Sequence, residues 1–435
     1  MNMLLKGHIC FSKTAQELKT LENGWVVCEN GVSKGVFTEI PDRYSTFPVF
    51  DYGDNIIIPG LCDLHVHAPQ YAIRGLGLDL ELLDWLNTYV YAIESKYAQL
   101  DYAVKPYESF VNDLTRGATT RAAVFATMHL SSTVLLMEML EKSGLVTFVG
   151  KVSMDRNSPD YLREENAQTA YDSAKSWIDR TICFENTKPI ITPRFIPACS
   201  DELMSKLKEL QMEYKLPVQS HLSENKREIE WVRELCPDVE SYAEAYNQFG
   251  LFGGEGTPAI MAHCIWSAGS EEKLLKDNNV YVAHCPQSNM NLSSGIAPIR
   301  RFMRNGIKAG LGSDIAGGCH LSVFRAMSDA IQASKLYWRL IDQNDAPLTI
   351  PEAFYLGTVG GGSFFGKAGS FDDGFEFDAI VIDDKEINPY PRPIEDRLAG
   401  IIYLSDERCI RDKYVRGRRI SDLKSVSGIG NERIK

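Results

Sequence analysis

Several features are scarce or absent in these 435 residues, and each absence narrows the possibilities. Long apolar runs are missing. The start, MNMLLKGHICFS, is too short in its apolar part for a signal peptide, and no later stretch approaches a membrane span. A cytoplasmic protein with no membrane partner is therefore expected. Cationic charge is also short, with 46 Lys and Arg against 58 Asp and Glu and a net charge of −12. Nucleic acid is not an expected partner, because holding a polyphosphate backbone needs clustered Lys and Arg. The ten cysteines form no C-x-x-C pair and keep no regular spacing, so they read as small buried hydrophobes in a reducing compartment. Glycine-rich phosphate loops are lacking too: GGEG at 253–256 and GGG at 360–362 both fall outside the strand-turn-helix spacing of a nucleotide fingerprint. Histidine is scarce, with eight in the chain, and its placement carries the rest.

What is present is enough apolar sequence, 44%, for a large core, arranged in a repeating order. Short apolar runs (IIIPGLCDLHVH, GATTRAAVFAT, GLVTFVGKV, PIITPRFIPA, LPVQSHLSE, AIMAHCI, VYVAHCP and IKAGLGSD) alternate with helix-period segments such as SDELMSKLKELQMEYK and EEKLLKDNN. Eight strand-helix units in succession predict an α/β fold, a parallel (β/α)8 TIM-type barrel over 59–373. Short β-like pieces at the two ends, among them GWVVCENG, FDAIVID, AGIIYLS and RDKYVRGRRI, are too sparse to fold alone. Segments 1–58 and 374–435 are expected to pair into one small β-sandwich domain. An apolar-rich insertion, Gly75 to Tyr97, follows the first barrel strand. It is suited to closing the barrel mouth, to joining two subunits, or to serving as a plain outer helix.

The histidines test the barrel. His65 and His67 end the first run, His221 the fifth, His263 the sixth and His284 the seventh, while Asp314 ends the eighth. Residues at i and i+2 of a strand share a face, so His65 and His67 can converge on one point. The carboxyl ends of barrel strands meet at one mouth, where sites are built. His8, His129 and His320 fall outside the pattern and are expected to be loop or surface residues. Neutral imidazoles with a carboxylate suit a first-row divalent ion that keeps a position for water. His65, His67, His221 and Asp314 would hold one Zn2+ per chain, with Fe2+ the second choice. A bound ion lowers the pKa of water from 15.7 to about 7, so hydrolysis is the expected reaction class. Glu224, three residues after His221, is placed for general acid/base work, with His263 and Asp314 orienting the nucleophile. His284 is expected to support the mouth from behind, and Cys264 and Cys285, as strand neighbours of histidines, to face away from the ion.

The stretches PGLCDLHVHAPQY, PRFIPACS, QSHLSENKREIEWV, MAHCIWS, AHCPQSNMNLSSG and GLGSDIAGG make the chain resemble the amidohydrolase superfamily, and within it most narrowly the guanine deaminases of barrel type. That resemblance implies zinc on His65, His67, His221 and Asp314, Glu224 as proton shuttle, and His263 beside the water. It implies guanine contacts from Gln70, Arg194, Phe195, His221 and Glu224 and from the backbone around Leu222 and Ser223. The implied reaction is attack of a zinc-bound hydroxide on C2, releasing ammonia and xanthine, in a homodimeric enzyme of purine catabolism. Some relatives bridge two metals with a modified lysine on the fourth strand; Arg194 stands in that strand here and Lys151 ends the third, so one metal is expected. The nearest alternative is an aminohydrolase of another purine, a pyrimidine or a triazine, and the alternative from another class is a barrel kept as a non-catalytic scaffold.

Overall fold

The computed structural model describes residues 1–254 and 256–422; Glu255 of GGEG and residues 423–435 of the C-terminal segment lie outside the described residues. Eight parallel strands form the centre. Leu61–His67, Thr119–Phe125, Val146–Gly150 and Thr187–Pro189 make one half, and Val218–Leu222, Ala259–His263, Tyr281–His284 and Lys308–Leu311 the other. Backbone hydrogen bonds join the halves at both seams. Ile191 N bonds Pro217 O and Gln219 N bonds Ile191 O, both at 2.9 Å, while Asp314 N reaches His65 O at 2.8 Å and His67 N reaches Ile315 O at 3.1 Å. The ring is therefore closed, as the strand-helix alternation predicts.

Branched and small side chains together fill the ring. Leu64, Ala123, Ile190, Ile260, Ala262 and Ala283 share one cluster inside the ring, the interdigitated filling such barrels use. Gly312 is required there, since a Cβ would stand 2.9 Å from the Cβ of His65 and 2.7 Å from Cys285 Sγ. Helices cover the outside with capped starts: Ser200 accepts from Leu203 N to open Asp201–Tyr214, with Asp201 and Glu202 in the first turn.

The two ends of the chain build a seven-stranded sheet in which Val49–Pro59 pairs with Met3–Ser12 on one side and Ala379–Ile382 on the other. Only Gly60 separates Val49–Pro59 from the first barrel strand. Buried ions fasten this sheet to the barrel's base. Arg121 donates to Asp378 and Glu376, each at 2.7 Å, and Lys413 Nζ donates to the carbonyls of Thr119 and Leu114 at 2.8 and 3.1 Å. One expected strand is a helix: AGIIYLS lies in Ile394–Leu404, whose buried Ile394, Leu398, Ile401 and Ile402 recur at helical spacing. An unbroken run of six residues without a polar side chain, Ala399 to Leu404, carries no period of its own, and the flanking Ile394 and Leu398 supply it.

Candidate active site

At the carboxyl ends of the strands three imidazoles and one carboxylate converge. His67 Nε2 lies 3.2 Å from both His65 Nε2 and His221 Nε2, and an Asp314 oxygen lies 3.3 Å from His65 Nε2 and 3.5 Å from His67 Nε2. Metal–nitrogen bonds of about 2.0–2.1 Å in tetrahedral geometry separate ligand atoms by roughly 3.3–3.4 Å, so the spacing fits one small divalent ion. His221 Nδ1 stands 2.6 Å from Arg194 O. A carbonyl only accepts, so Nδ1 carries the proton and Nε2 presents its lone pair to the centre. His65, His67 and Asp314 also form a group whose ligand atoms lie within 4.8 Å of one another. Burial, followed by the neighbouring imidazoles, pushes the proton affinities of His67 and His221 well down; burial opposes ionisation of Asp314, but the imidazoles packed around its carboxyl, His65 first, hold it well below the usual carboxylate range. Neutral imidazoles beside an ionised carboxylate are the donor set a divalent ion needs.

The backbone is bent to make this convergence. Ser223, His263, Cys264 and Asp314 have φ of 47°, 73°, 50° and 46°, a left-handed conformation uncommon for non-glycine residues. Asp63 clamps the first strand to the eighth. Its carboxylate accepts from His65 N at 3.2 Å, Ser313 N at 3.0 Å and the Ser313 hydroxyl at 2.5 Å. Burial raises its pKa to about 6 against those bonds.

Glu224 stands beside the four converging groups, with an oxygen 3.4 Å from His263 Nε2. Burial comes first in pushing its proton affinity well up, and the Glu228 and Asp314 charges add to it. His263 is oriented from behind, where Nδ1 meets Asn289 Oδ1 at 2.8 Å, and its Nε2 is 3.8 Å from Asp314. Glu228 closes a capping box with Asn225 and accepts from Glu224 N at 3.2 Å and from the Tyr242 hydroxyl at 2.6 Å.

A cavity opens onto these groups, lined on its polar side by Gln70, Arg194, Glu224 and Glu228 and on its apolar side by Phe195, Leu82, Trp85, Leu86 and Leu292. Arg194 and Phe195 both reach it because a separate two-residue strand beyond the fourth, Thr192–Pro193, ends just before them and Phe195 is extended, at φ −172°, before a turn begins at Ile196. Leu82, Trp85 and Leu86 belong to the Gly75–Tyr97 insertion, which thus roofs the cavity. Glu94 of the same insertion accepts from Arg194 at 2.6 Å and from Gln70 at 3.0 Å.

Some expected positions differ. The side chain of Leu222 is not among the cavity's lining: strand alternation turns it into the core opposite His221, so only its backbone is left for the expected substrate contact, and its carbonyl accepts from Cys264 N at 2.9 Å. Cys285 does not face away. Tyr281, Ala283 and Cys285 share the inner cluster, and Cys285 Sγ lies within 4.8 Å of ligand atoms of His263 and Asp314. His284 then has the parity of Val282, which packs in the outer cluster, and neither of its ring nitrogens has a hydrogen-bond partner among the described residues. Cys264 does face away, with Sγ 3.6 Å from Met261 O. Lys151 is committed to Glu164 at 2.6 Å. His8 pairs with Asp54 at 3.0 Å, His320 is exposed, and His129 is half-buried at the start of helix Leu130–Ser143. The groups that sequence reasoning missed are Asp63, Glu94, Glu228 and Asn289; Asp63 had a local signal in its strand parity with His65 and His67, and Glu228 one in its capping-box spacing from Asn225.

A closed barrel with three histidines and an aspartate at its mouth, beside a buried glutamate, defines a metal-dependent hydrolase. The chain belongs to the amidohydrolase family, whose model matches residues 56–420. Relatives 34–41% identical to it are guanine deaminases. The guanine deaminase of Dictyostelium discoideum is 41% identical over 382 residues, covering 86% of this chain and 84% of that protein. That of Escherichia coli is 34% identical over 397 residues, covering 88% and 86%. A crystal structure of guanine deaminase from C. acetobutylicum with guanine bound in its active site is 46% identical, superposes with a TM-score of 0.94, and covers 96% of this chain and all of that one. The expected barrel fold is shared with it.

Proposed function

We infer that this chain is a guanine deaminase, a metal-dependent hydrolase that replaces the 2-amino group of guanine with oxygen to give xanthine and ammonia. One observation carries the inference: the cavity that meets the His65, His67, His221 and Asp314 cluster is also the cavity lined by Glu224, Arg194, Gln70 and Phe195. The guanine deaminase names of relatives 34–41% identical over most of the chain support the same substrate.

We assign the ion to His65, His67, His221 and Asp314 and favour zinc over iron, because imidazole nitrogens and a carboxylate are donors zinc takes and its coordination would expand to five to admit a water beside four protein groups. When bound, the ion supplies a water molecule ionised near neutral pH. The rest falls to the chain's own groups. Phe195 offers a flat apolar face to the purine and Arg194 a fork of donors to its carbonyl oxygen. Glu224, whose carboxyl readily holds a proton in its buried setting, takes one proton from the water and delivers it to a ring nitrogen as the new C2–O bond forms. The hydroxyl now on C2 gives up its proton, which reaches the amine through the same carboxyl as the C2–N bond breaks, so that C2 becomes a carbonyl and ammonia leaves. His263, held by Asn289, orients the attacking oxygen together with Asp314.

The same reading carries several further proposals: purine catabolism in the cytoplasm, a homodimer, and a division of the chain into a barrel over 59–373 and a terminal β unit over 1–58 and 374–435. The deciding experiment incubates the metal-loaded protein with guanine and follows ammonia together with the ultraviolet change to xanthine. Turnover that disappears on chelation and returns with one zinc per chain is expected. Absence of guanine turnover alongside deamination of an adenosine derivative, a pyrimidine or a triazine would replace guanine with that substrate.

A further inference from the structure

Glu94 sits 24 residues beyond Gln70 and 100 before Arg194, yet its carboxylate joins both. It receives Arg194 Nη1 at 2.6 Å on one oxygen, and on the other Arg194 Nη2 at 3.3 Å and Gln70 Nε2 at 3.0 Å. All three side chains are buried, at 2–3% exposure. The Tyr91 ring lies 5.3 Å beneath the same guanidinium. Neither the fold nor the proton transfers need this arrangement: Glu94 comes from the insertion that roofs the cavity and lies outside the barrel strands.

Its chemical consequence is specific. A carboxylate only accepts, so the end of Gln70 that faces Glu94 must be its NH2 group. A backbone N–H only donates, and Ala316 N is 3.1 Å from Gln70 Oε1. The two contacts agree on one amide orientation and exclude its flip, because flipping would set oxygen against carboxylate and NH2 against N–H. What Gln70 has left for a substrate is one N–H and one lone pair, in fixed order. The same carboxylate holds the Arg194 fork from behind, leaving Arg194 Nε and the outward edges of the NH groups free.

We propose that Glu94 is the positioning residue that sets the donor-acceptor order of Gln70 and the direction of Arg194, and so makes the cavity select a purine carrying a carbonyl and a matching donor-acceptor edge. The proposal rests on the guanine deaminase reading above. Loss of one partner from a buried, hydrogen-bonded charge pair costs about 2 kcal/mol or more, a factor of roughly 30. Glu94→Gln also restores the freedom of the Gln70 amide, since a carboxamide at 94 can meet either end of it. Most of the loss belongs in KM, because the groups that move protons are untouched.

The test is steady-state kinetics with guanine on metal-loaded wild type, Glu94→Gln, Gln70→Ala and the double variant. We expect Glu94→Gln to raise KM about 30-fold or more, with kcat within about threefold. In the Gln70→Ala background the same change is expected to cost at least fivefold less in kcat/KM, because the amide it orients is gone. Equal losses in the two backgrounds, or a Glu94→Gln kcat/KM within threefold of wild type, would overturn the proposal while leaving the deaminase assignment intact. Lack of guanine turnover by the wild type is the separate failure of that assignment. Should Glu94→Gln lose its metal or fail to fold, Glu94→Asp keeps the charge and withdraws it by one methylene. A raised KM at full metal content is then the expected result, and wild-type kinetics in that variant would equally overturn the proposal.

Discussion

Replacing Glu224 with Gln separates chemistry from structure more cleanly than any other change at this site. The side chain is 3% exposed, and its backbone is fixed by Glu224 N bonding Glu228 Oε2 at 3.2 Å. Ser294 Oγ stands 3.5 Å from Oε1, so its hydroxyl can still donate to an amide oxygen placed there. The shape is therefore kept and the ability to carry protons is removed. A positioned general acid/base contributes about 10²–10⁴ in rate, equivalent to roughly 3–5.5 kcal/mol of barrier. Stability moves the other way. In the native protein a buried carboxyl faces Glu228 and Asp314, and a neutral amide removes that repulsion and the burial penalty of the charged form. Glu224→Gln is expected to lose at least about 100-fold in kcat, to keep its metal, and to melt at the same temperature as wild type or up to a few degrees higher. The assays are single-turnover ammonia release at saturating guanine, metal content by mass spectrometry, and thermal unfolding. A variant that retains guanine turnover within tenfold of wild type would refute the proton-shuttle role, and metal content falling in step with activity would show that Glu224 acts on the ion's retention instead.

Asp63→Asn weakens the clamp between the first and eighth strands, and metal affinity is expected to drop about 10–100-fold, as for outer groups that hold ligands in place; competition with a chromogenic chelator measures it, and unchanged affinity would remove Asp63 from the site. Trp85→Ala opens the roof of the cavity, and KM for guanine is expected to rise more than kcat falls. Lys413 carries a pH prediction. Burial lowers its pKa to about 7 against the pull of Asp378, whereas in the unfolded chain it titrates near 10.4. Between those values the unfolded state binds more protons, so this group adds stability as pH rises, by roughly 1.4 kcal/mol per unit, and withdraws it as pH falls through 7. Lys413→Met is expected to flatten the dependence of unfolding free energy on pH between 7 and 9, measured by denaturant titration; an unchanged slope would show that Lys413 is charged in the native state over that range.

How much of the site could be read beforehand depends on how far each residue's role is local. His65 and His67 sit two apart on a strand, His221 and Glu224 three apart across a strand-to-helix turn, and Asp314 follows a run ending in glycine; each spacing implies a direction, and the barrel's closure brings the directions together. The seventh strand shows where this stops. Alternation says that Cys285 and His284 point oppositely, but which one points inward depends on an anchor elsewhere in the strand, and Tyr281 and Ala283 in the inner cluster provide it. Histidine chemistry at a barrel mouth biased the choice the wrong way. The helix at Ile394–Leu404 failed for a related reason, since its apolar run has no period without its flanks. Glu94 was illegible for a different cause: its partners are 24 and 100 residues away, and an acid at the end of a short helical turn, next to Ser95 and Lys96, looks like any solvated one. Its burial is intelligible only once the insertion folds back over Arg194 and Gln70. Metal ligation is thus written in short spacings because coordination geometry is local to strand ends, whereas substrate selection is written in long-range pairs because part of it comes from a segment that lies outside the barrel strands.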